Sequence, residues 1–320
     1  FAAFLNDGRR PSDSEPAVTL KTLYVALGAV TAGVLALAAV QYASPQGHAS
    51  MRLFTEKKAL DIIVNALGGG DSPRLVGGTF GNRNVLGGYL SLALPLCFAG
   101  AMGGARGLPA RAGCALLFIA GLALDLSGAS YWAVVAVVAA LAAARGARRF
   151  IPVAAALVLW QGLALPLMPR ENDMRHYESL ALYDGDGKPS RRYPEWQAAA
   201  SMILTHPWLG VGPGNYQKQV GPYYGPVPNA TGPAEPDIQN LYLVIGASGG
   251  LPALLAFLAL LSTAILSAAA GRRAGVAGAL AAFAITAVWH PLLVRGIGLP
   301  LAFLLAAARQ PQHLEANDEP

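Results

Sequence analysis

Charged side chains are scarce in this sequence. Asp, Glu, Lys and Arg make up only 13% of its 320 residues, whereas 54% of the residues are hydrophobic. An ordinary soluble domain has about 25% charged residues, so this composition argues against one. The apolar residues lie in long runs without charge, which is typical of membrane-spanning helices of about 20 residues. Because lipid cannot satisfy exposed backbone groups, these runs are predicted to be helical.

Cysteine is also scarce, and its placement argues against a disulfide framework or a thiol-ligated metal. The two cysteines, Cys97 and Cys114, both lie inside apolar runs, where a thiol most often serves as a small hydrophobic side chain. Basic residues exceed acidic ones, 23 against 18. Because the arginines form short clusters beside apolar runs, they indicate membrane topology rather than binding to nucleic acid.

The apolar runs predict an all-α fold, a polytopic transmembrane bundle with about eight spans. Clusters of Lys and Arg occupy alternate connections, and such clusters mark the cytoplasmic side. The other connections, 42–84, 169–238 and the turn around His290, are then expected to face the periplasm of a bacterial inner membrane. The predicted spans are 19–41, 85–104, 111–127, 130–145, 150–168, 239–268, 275–290 and 294–309.

The predicted spans divide the chain into four parts. Residues 1–84 hold the first span and an outer connection, and 85–168 hold the central transmembrane helices. Residues 169–238 form a large periplasmic loop, and 239–320 hold the last transmembrane helices and a cytoplasmic tail. The apolar stretch that starts at Phe1 is expected to be the end of a helix that begins upstream.

The long loop contains one segment with a clear helical pattern. In "YPEWQAAASMILTHPWL", apolar residues at Trp196, Ala199, Met202 and Ile203 follow the period of an amphipathic helix. A proline near its start and the His-Pro pair at 206–207 predict its two ends. We expect this helix to lie at the outer membrane surface, with its apolar face against lipid or the bundle. The "GVGPGN" that follows is predicted to be a tight turn.

Four stretches together resemble the O-antigen ligase and polymerase superfamily. They are "GGTFGNRNVLGGYLSLALPL" (77–96), the Arg-x-x-x-Trp of Arg192 and Trp196, "HPWLGVGPGNY" (206–216) and "QNLYLVIGASGGLPALL" (239–255). The resemblance covers about residues 75–268, with the long loop in its middle. The members of this superfamily are membrane glycosyltransferases that use glycans linked to polyprenyl pyrophosphate.

The resemblance implies an inverting glycan transfer at the periplasmic face. The donor would be a glycan on polyprenyl pyrophosphate, and the acceptor a sugar hydroxyl of lipid A core or of a growing polysaccharide. It implies no cofactor, no metal and no nucleic-acid partner. The physical requirements are cations that hold the departing diphosphate and a group that orients the attacking hydroxyl. Ligase and polymerase differ only in the acceptor, so both remain open.

The sequence departs from the family pattern at three places. Gln239 stands where the family has a histidine, Ser248 stands where it commonly has a glutamate, and no arginine accompanies the "DLSGAS" at 125–130. A glutamine cannot take and hold a proton as an imidazole can. Asp125 and His206 are therefore candidates for the group that takes the acceptor's proton, and Gln239 is a candidate catalytic residue that places the acceptor hydroxyl. The structural alternative for His206 is that it only ends the loop helix.

Arginines at the expected outer face are candidates for binding pyrophosphate, because a guanidinium can clasp it with two hydrogen bonds. Arg192 carries the family motif, and the alternative for Arg192, Arg191, Arg83 and Arg74 is an anchor to lipid headgroups. Asn240 is a candidate for placing the acceptor, with helix capping as its alternative. The full set of arginine candidates is Arg192, Arg191, Arg83, Arg74 and Arg295.

Two other function classes remain open on the sequence. A family member that has lost catalysis could act as a binding partner of an active enzyme, which the three departures favour. A multi-span transporter could also contain glycine-broken helices and inward polar groups. Transporters commonly repeat such broken spans in two halves, and this sequence shows no such repeat.

Overall fold

The computed structural model describes residues 20–43, 78–80, 82–105, 107–125, 127–144, 146, 192–224, 238–293 and 296–309. Within these ranges the regular elements are all helical, as the sequence predicts. The expected span 150–168 and the candidates Arg74, Arg191 and Arg295 lie outside the described residues. The α-helices are α1 Leu20–Ala43, α2 Arg83–Ala99, α3 Leu108–Leu124, α4 Gly128–Ala144, α5 Arg192–Thr205, α6 Tyr216–Gln219, α7 Leu241–Ala270, α8 Ala274–Thr286 and α9 Gly298–Ala308.

Two described helices are long and apolar enough, by length and composition, to cross a membrane. They are the helix Arg83–Gly103, which continues α2 through a π-helical turn, and α7. The other apolar helical segments are shorter, with 10–17 residues each: Tyr24–Val40 within α1, and the helices α3, α4, α8 and α9. Large aliphatic side chains such as Leu255 and Leu266 are exposed along α7, a surface suited to lipid.

Helix α2 lies at the centre of the bundle, in contact with α3, α4 and α8. One apolar cluster joins it to α1, α3 and α4, and a second joins it to α7, α8 and α9. Glycines allow the helices to approach closely: Gly121 of α3 faces Leu94, and Gly275 of α8 faces Ala99. Small residues at helix interfaces are the usual means of close packing in membrane bundles.

Helix α5 has the bounds that the apolar stripe and the flanking prolines predict. Its buried side chains Ala198, Ala199, Met202 and Ile203 form an apolar cluster with residues of α7 and of the loop. A Cβ added to Gly246 of α7 would lie 2.8 Å from the Ile203 side chain, which shows how close the two helices are. The apolar face therefore packs against the bundle, one of the two surfaces expected for it.

Helix α7 is broken at Gly250, although the sequence predicts an uninterrupted span. Gly250 has φ 74° and ψ −176°, which interrupts the helical hydrogen bonds. The loop segment 207–212 replaces them: Val211 N–H and Gly212 N–H donate to the carbonyls of Ala247 and Ser248, each at 2.9 Å. Leu251 N–H donates to the Pro207 carbonyl at 2.7 Å. The loop thus satisfies backbone groups that lipid could not.

Replacing Gly210 with alanine tests this docking, with Gly214→Ala as the matched control. Both glycines have positive φ, 60° and 76°, so both variants carry a conformational cost of about 1–2 kcal/mol. Only at Gly210 does a Cβ meet backbone, 2.5 Å from the Ala247 carbonyl oxygen, whereas Gly214 has open space. We expect faster proteolysis of the loop and a lower unfolding temperature for Gly210→Ala. Equal effects of the two variants would contradict docking into the α7 break.

Candidate functional site

The start of α7 and the end of α8 meet at one end of the bundle, which we call the loop end. Leu241 N–H donates to the Ala287 carbonyl at 2.8 Å, and the Tyr242 hydroxyl donates to the Ala284 carbonyl at 2.7 Å. Gln239 directly precedes this junction and is half-buried, while His290 follows it from the α8 side. The loop end therefore gathers residues from two separate parts of the chain.

Four buried polar residues, Asp125, Ser127, Ser130 and His290, form a polar cluster at the loop end. The Ser130 hydroxyl donates to both carboxyl oxygens of Asp125, at 2.6 and 2.5 Å, and Ser127 N–H donates to Oδ1 at 3.1 Å. The Ser127 hydroxyl lies 3.2 Å from His290 Nε2. None of the four side chains exposes more than 4% of its surface. Asp125 thus holds the turn between α3 and α4, and the turn presents Ser127 to His290.

Gly87 of α2 forms the wall behind this cluster. A Cβ at this position would overlap Ser130 Oγ and would lie 2.6 Å from Ser127 Cβ and 3.0 Å from Asp125 Oδ1. The turn can approach α2 this closely only because residue 87 has no side chain. The glycine therefore sets the position of both serines.

Burial raises the pKa of Asp125 to about 7, even though the hydrogen bonds from Ser130 and Ser127 favour its charged form. The carboxyl lies in the turn after α3, outside the helical spans. Its pKa is higher folded than unfolded, so it contributes stability that is full below about pH 4 and is lost as pH rises towards about 7. The other titratable group of the cluster is His290, beyond Ser127.

The Asp125→Asn variant should therefore have a flatter dependence of stability on pH than the wild type. We expect the wild-type unfolding temperature in detergent to fall between about pH 4 and pH 7, and this fall to shrink in the variant because the amide does not titrate. The measurement is a set of thermal unfolding curves across that range. Parallel curves for the two proteins would show that Asp125 does not change its protonation there.

Two arginines act electrostatically on His290. Burial and, after it, the positive charges of Arg192 and Arg83 together lower the pKa of His290 to about 3. Arg83 lies at the start of α2 and Arg192 at the start of α5. The imidazole is therefore neutral at physiological pH and lies within the field of two cations. Arg83 and Arg192, which lie on helices far apart in the sequence, thus both act on His290 at the loop end.

Arg192 and Trp196 each present a buried N–H group that lacks a hydrogen-bond partner among the described residues. The atoms are Arg192 Nη1 and Trp196 Nε1, which lie one helical turn apart on α5. Burial lowers the pKa of Arg192. Buried donors are almost always satisfied in proteins, so two neighbouring unpaired donors need an explanation. A bound anion with several oxygens is the ligand that this pair suits.

Residues 113–258 match the family model described as O-antigen ligase. The match places this segment in the O-antigen ligase and polymerase superfamily. It lies within the range 75–268 over which the sequence resembles that family, and it confirms the predicted family. The superfamily is one of membrane proteins, in agreement with the apolar helices described above. No curated protein and no solved structure matches the chain.

Four of the predicted site residues, Asp125, His206, Gln239 and Asn240, lie within the matched segment, in different settings. Asn240 caps α7, its side-chain oxygen accepting from Leu243 N–H at 3.1 Å, which is the structural alternative considered for it. His206 is exposed, and its Nε2 lies 3.1 Å from the Tyr223 hydroxyl. Asp125 accepts a hydrogen bond from Ser127 N–H, and the charge of Arg83, which lies outside the matched segment, acts on His290. The catalytic roles expected for Gln239, Asp125 and His206 stay predictions.

Glu195, which the sequence analysis did not single out, fixes α5 to the rest of the loop. The Tyr224 hydroxyl donates to its Oε2 at 2.8 Å and the Tyr216 hydroxyl at 3.4 Å. Burial and the neighbouring carboxylate raise the pKa of both tyrosines. This contact sets the position of α5, and with it the position of Arg192 at its first turn.

His290 is the main residue of the polar cluster that the sequence analysis left without a role. Its sequence signal was weak: a histidine before Pro291 at the end of an apolar run. A polar residue there is also what an ordinary turn contains, so only its spatial neighbours distinguish it. Within the described ranges, His, Cys, Asp and Glu side chains form no group of three that could bind a metal.

Proposed function

We propose that the protein is a membrane glycosyltransferase of the O-antigen ligase or polymerase type. It transfers a glycan from polyprenyl pyrophosphate to a sugar hydroxyl of a lipid A-core or polysaccharide acceptor. The loop end faces the periplasm of a bacterial inner membrane in this proposal. The observation that carries the proposal is the pair of buried donors on Arg192 and Trp196 that lack a hydrogen-bond partner among the described residues.

Arg192 and Arg83 hold the diphosphate of the donor in this proposal. As the glycosidic carbon leaves the phosphate oxygen, negative charge grows on the diphosphate, and fixed cations stabilise that charge. A guanidinium suits this task because its planar fork matches phosphate oxygens and keeps its charge when partly buried. Arg191, Arg74 and Arg295 are proposed as further cations of the same subsite.

Gln239 places the acceptor hydroxyl in this proposal. Its carboxamide can accept a hydrogen bond from a sugar hydroxyl and donate one to another. It precedes the junction of α7 and α8, and so it lies at the same end of the bundle as His290. The Asn240 amide oxygen is used by the α7 cap, which leaves its NH₂ group for the acceptor.

The experiment that tests this function is a transfer assay with purified full-length protein in lipid nanodiscs. The donor is a polyprenyl-pyrophosphate glycan, and the acceptors are lipid A core and a non-reducing polysaccharide end. Formation of the glycosidic product by wild type supports the enzyme, and the accepted substrate separates ligase from polymerase. Activity that appears only in Gln239→His supports the alternative of a family member without catalysis. No product from either protein contradicts the proposed function.

A further inference from the structure

His290 has a hydrogen-bond partner that could carry a proton. Its Nε2 lies 3.2 Å from Ser127 Oγ, and the backbone N–H of the same serine is held by Asp125. The imidazole exposes only 4% of its surface, and Ser127 exposes 1%. A buried histidine that bonds a buried serine is a short chain along which a proton can move. The groups that face this pair are Asp125 from the α3–α4 turn, Arg83 from α2 and Arg192 from α5.

The two arginines make the proton affinity of His290 depend on what they bind. Without a ligand, their charge opposes protonation of the imidazole. A diphosphate held by both guanidinium groups cancels much of that charge, and its own negative charge favours the imidazolium. Because linkage is reciprocal, protonation of His290 then strengthens binding of the diphosphate. The histidine would thus become a better proton acceptor when the donor is in place.

We propose that His290 is the terminal acceptor of the proton released in glycan transfer, and that the proton reaches it through Ser127 Oγ. A diphosphate bound at Arg83 and Arg192 enables this step. The inference rests on the proposed function and adds to that function a proton path that does not use Gln239. Asp125 serves in this path as a positioning residue, since its oxygens already accept from Ser130 and from Ser127 N–H.

Glycan transfer exchanges one bond at the anomeric carbon of the donor for another. The acceptor oxygen forms a bond to the anomeric carbon, and the bond from that carbon to the phosphate oxygen breaks, its electron pair leaving with the polyprenyl pyrophosphate. The hydroxyl proton of the acceptor passes to Ser127 Oγ as the serine proton passes to His290 Nε2. The imidazolium that results lies beside the more negative diphosphate and is stabilised by it. When the product leaves, the proton returns to water.

The first arm of the test is an NMR titration of the full-length protein with labelled histidine, with and without inorganic pyrophosphate. The His290→Gln variant identifies the His290 signal. We expect its titration midpoint to rise by about one pH unit or more when pyrophosphate binds. We also expect the rise to be smaller in Arg192→Ala. A midpoint that does not move although pyrophosphate binds, or a failure of pyrophosphate to bind, overturns the inference.

The second arm compares transfer by Ser127→Ala with transfer by Ser91→Ala. Ser91 is also a buried serine, but its hydroxyl donates to the Gly88 carbonyl within its own helix. We expect Ser127→Ala and His290→Gln to lose at least about 100-fold in turnover while still binding pyrophosphate, and to change the pH profile. Ser91→Ala is expected to retain wild-type turnover and pH profile.

The outcomes separate failure of this inference from failure of the proposed function. Wild-type turnover and an unchanged pH profile in both His290→Gln and Ser127→Ala would remove the proton path but leave the glycosyltransferase. If wild type transfers no glycan, both the proposed function and the proton path are excluded. The NMR titration then still shows whether a diphosphate changes the pKa of His290. The unfolding curve of His290→Gln shows whether this variant folds. If it does not fold, the turnover of Ser127→Ala and the wild-type NMR titration test the proton path.

Discussion

Replacing Arg192 with alanine is expected to reduce glycan transfer by about 100-fold or more, because it removes a cation that stabilises the departing diphosphate. The same variant is expected to be as stable as wild type or more stable. Arg192 Nη1 is buried without a hydrogen-bond partner among the described residues. Folding therefore removes water from this group without replacing the lost hydrogen bonds, which is unfavourable. A residue whose removal lowers activity but not stability contributes to ligand binding rather than to folding.

Two control variants sharpen this prediction. Lys218→Ala removes an exposed cation from the same loop and is expected to leave transfer unchanged. Arg192→Lys keeps the charge but loses the planar fork, so its turnover should lie between that of wild type and that of Arg192→Ala. Turnover and thermal unfolding are measured on the same preparations. Full activity in Arg192→Ala, or an equal loss in Lys218→Ala, would exclude a specific role in binding the diphosphate.

The Gly87→Ala variant is expected to lose both stability and transfer. Its methyl group would overlap Ser130 Oγ and would lie 2.6 Å from Ser127 Cβ, so the α3–α4 turn must move away from α2. Overpacking of this kind typically costs about 1–3 kcal/mol. The shift would also separate Ser127 from His290, so the loss of transfer should exceed what the loss of folded protein explains. Thermal unfolding and turnover per folded molecule measure the two effects.

Gly113→Ala is the matched control for Gly87→Ala. Gly113 lies inside α3, and a Cβ there meets nothing within 4 Å. Alanine is a better helix former than glycine, so this variant should be neutral or more stable by up to about 1 kcal/mol. If Gly87→Ala behaves like Gly113→Ala, the polar cluster does not depend on close contact with α2.

The helical class and the bounds of α5 could be predicted because both depend on short-range patterns. An apolar run without charge requires a helix in lipid, and the stripe at Ala199, Met202 and Ile203 with a proline near each end defines one helix. The direction of its apolar face could not be predicted, because lipid and α7 are equally apolar. The family could be predicted as well, since it is carried by contiguous motifs.

The break in α7 was missed although the sequence contains its glycines. Gly249 and Gly250 lie in an apolar run whose length alone predicts a single span. A glycine in such a run is compatible with an unbroken helix, so the break depends on what replaces the lost hydrogen bonds. Segment 207–212 replaces them, and no local pattern links that segment to α7.

The sequence by itself determined that the chain is helical and apolar, that the loop carries an amphipathic helix, and that the residues resemble one superfamily. Each of these follows from neighbouring residues, through composition, period or motif. Only the tertiary structure decided which polar groups meet. Ser127 and His290 are 163 positions apart, and Arg83 and Arg192 start different helices. Helix packing alone brings them together, and packing depends on side-chain shapes summed over the whole bundle.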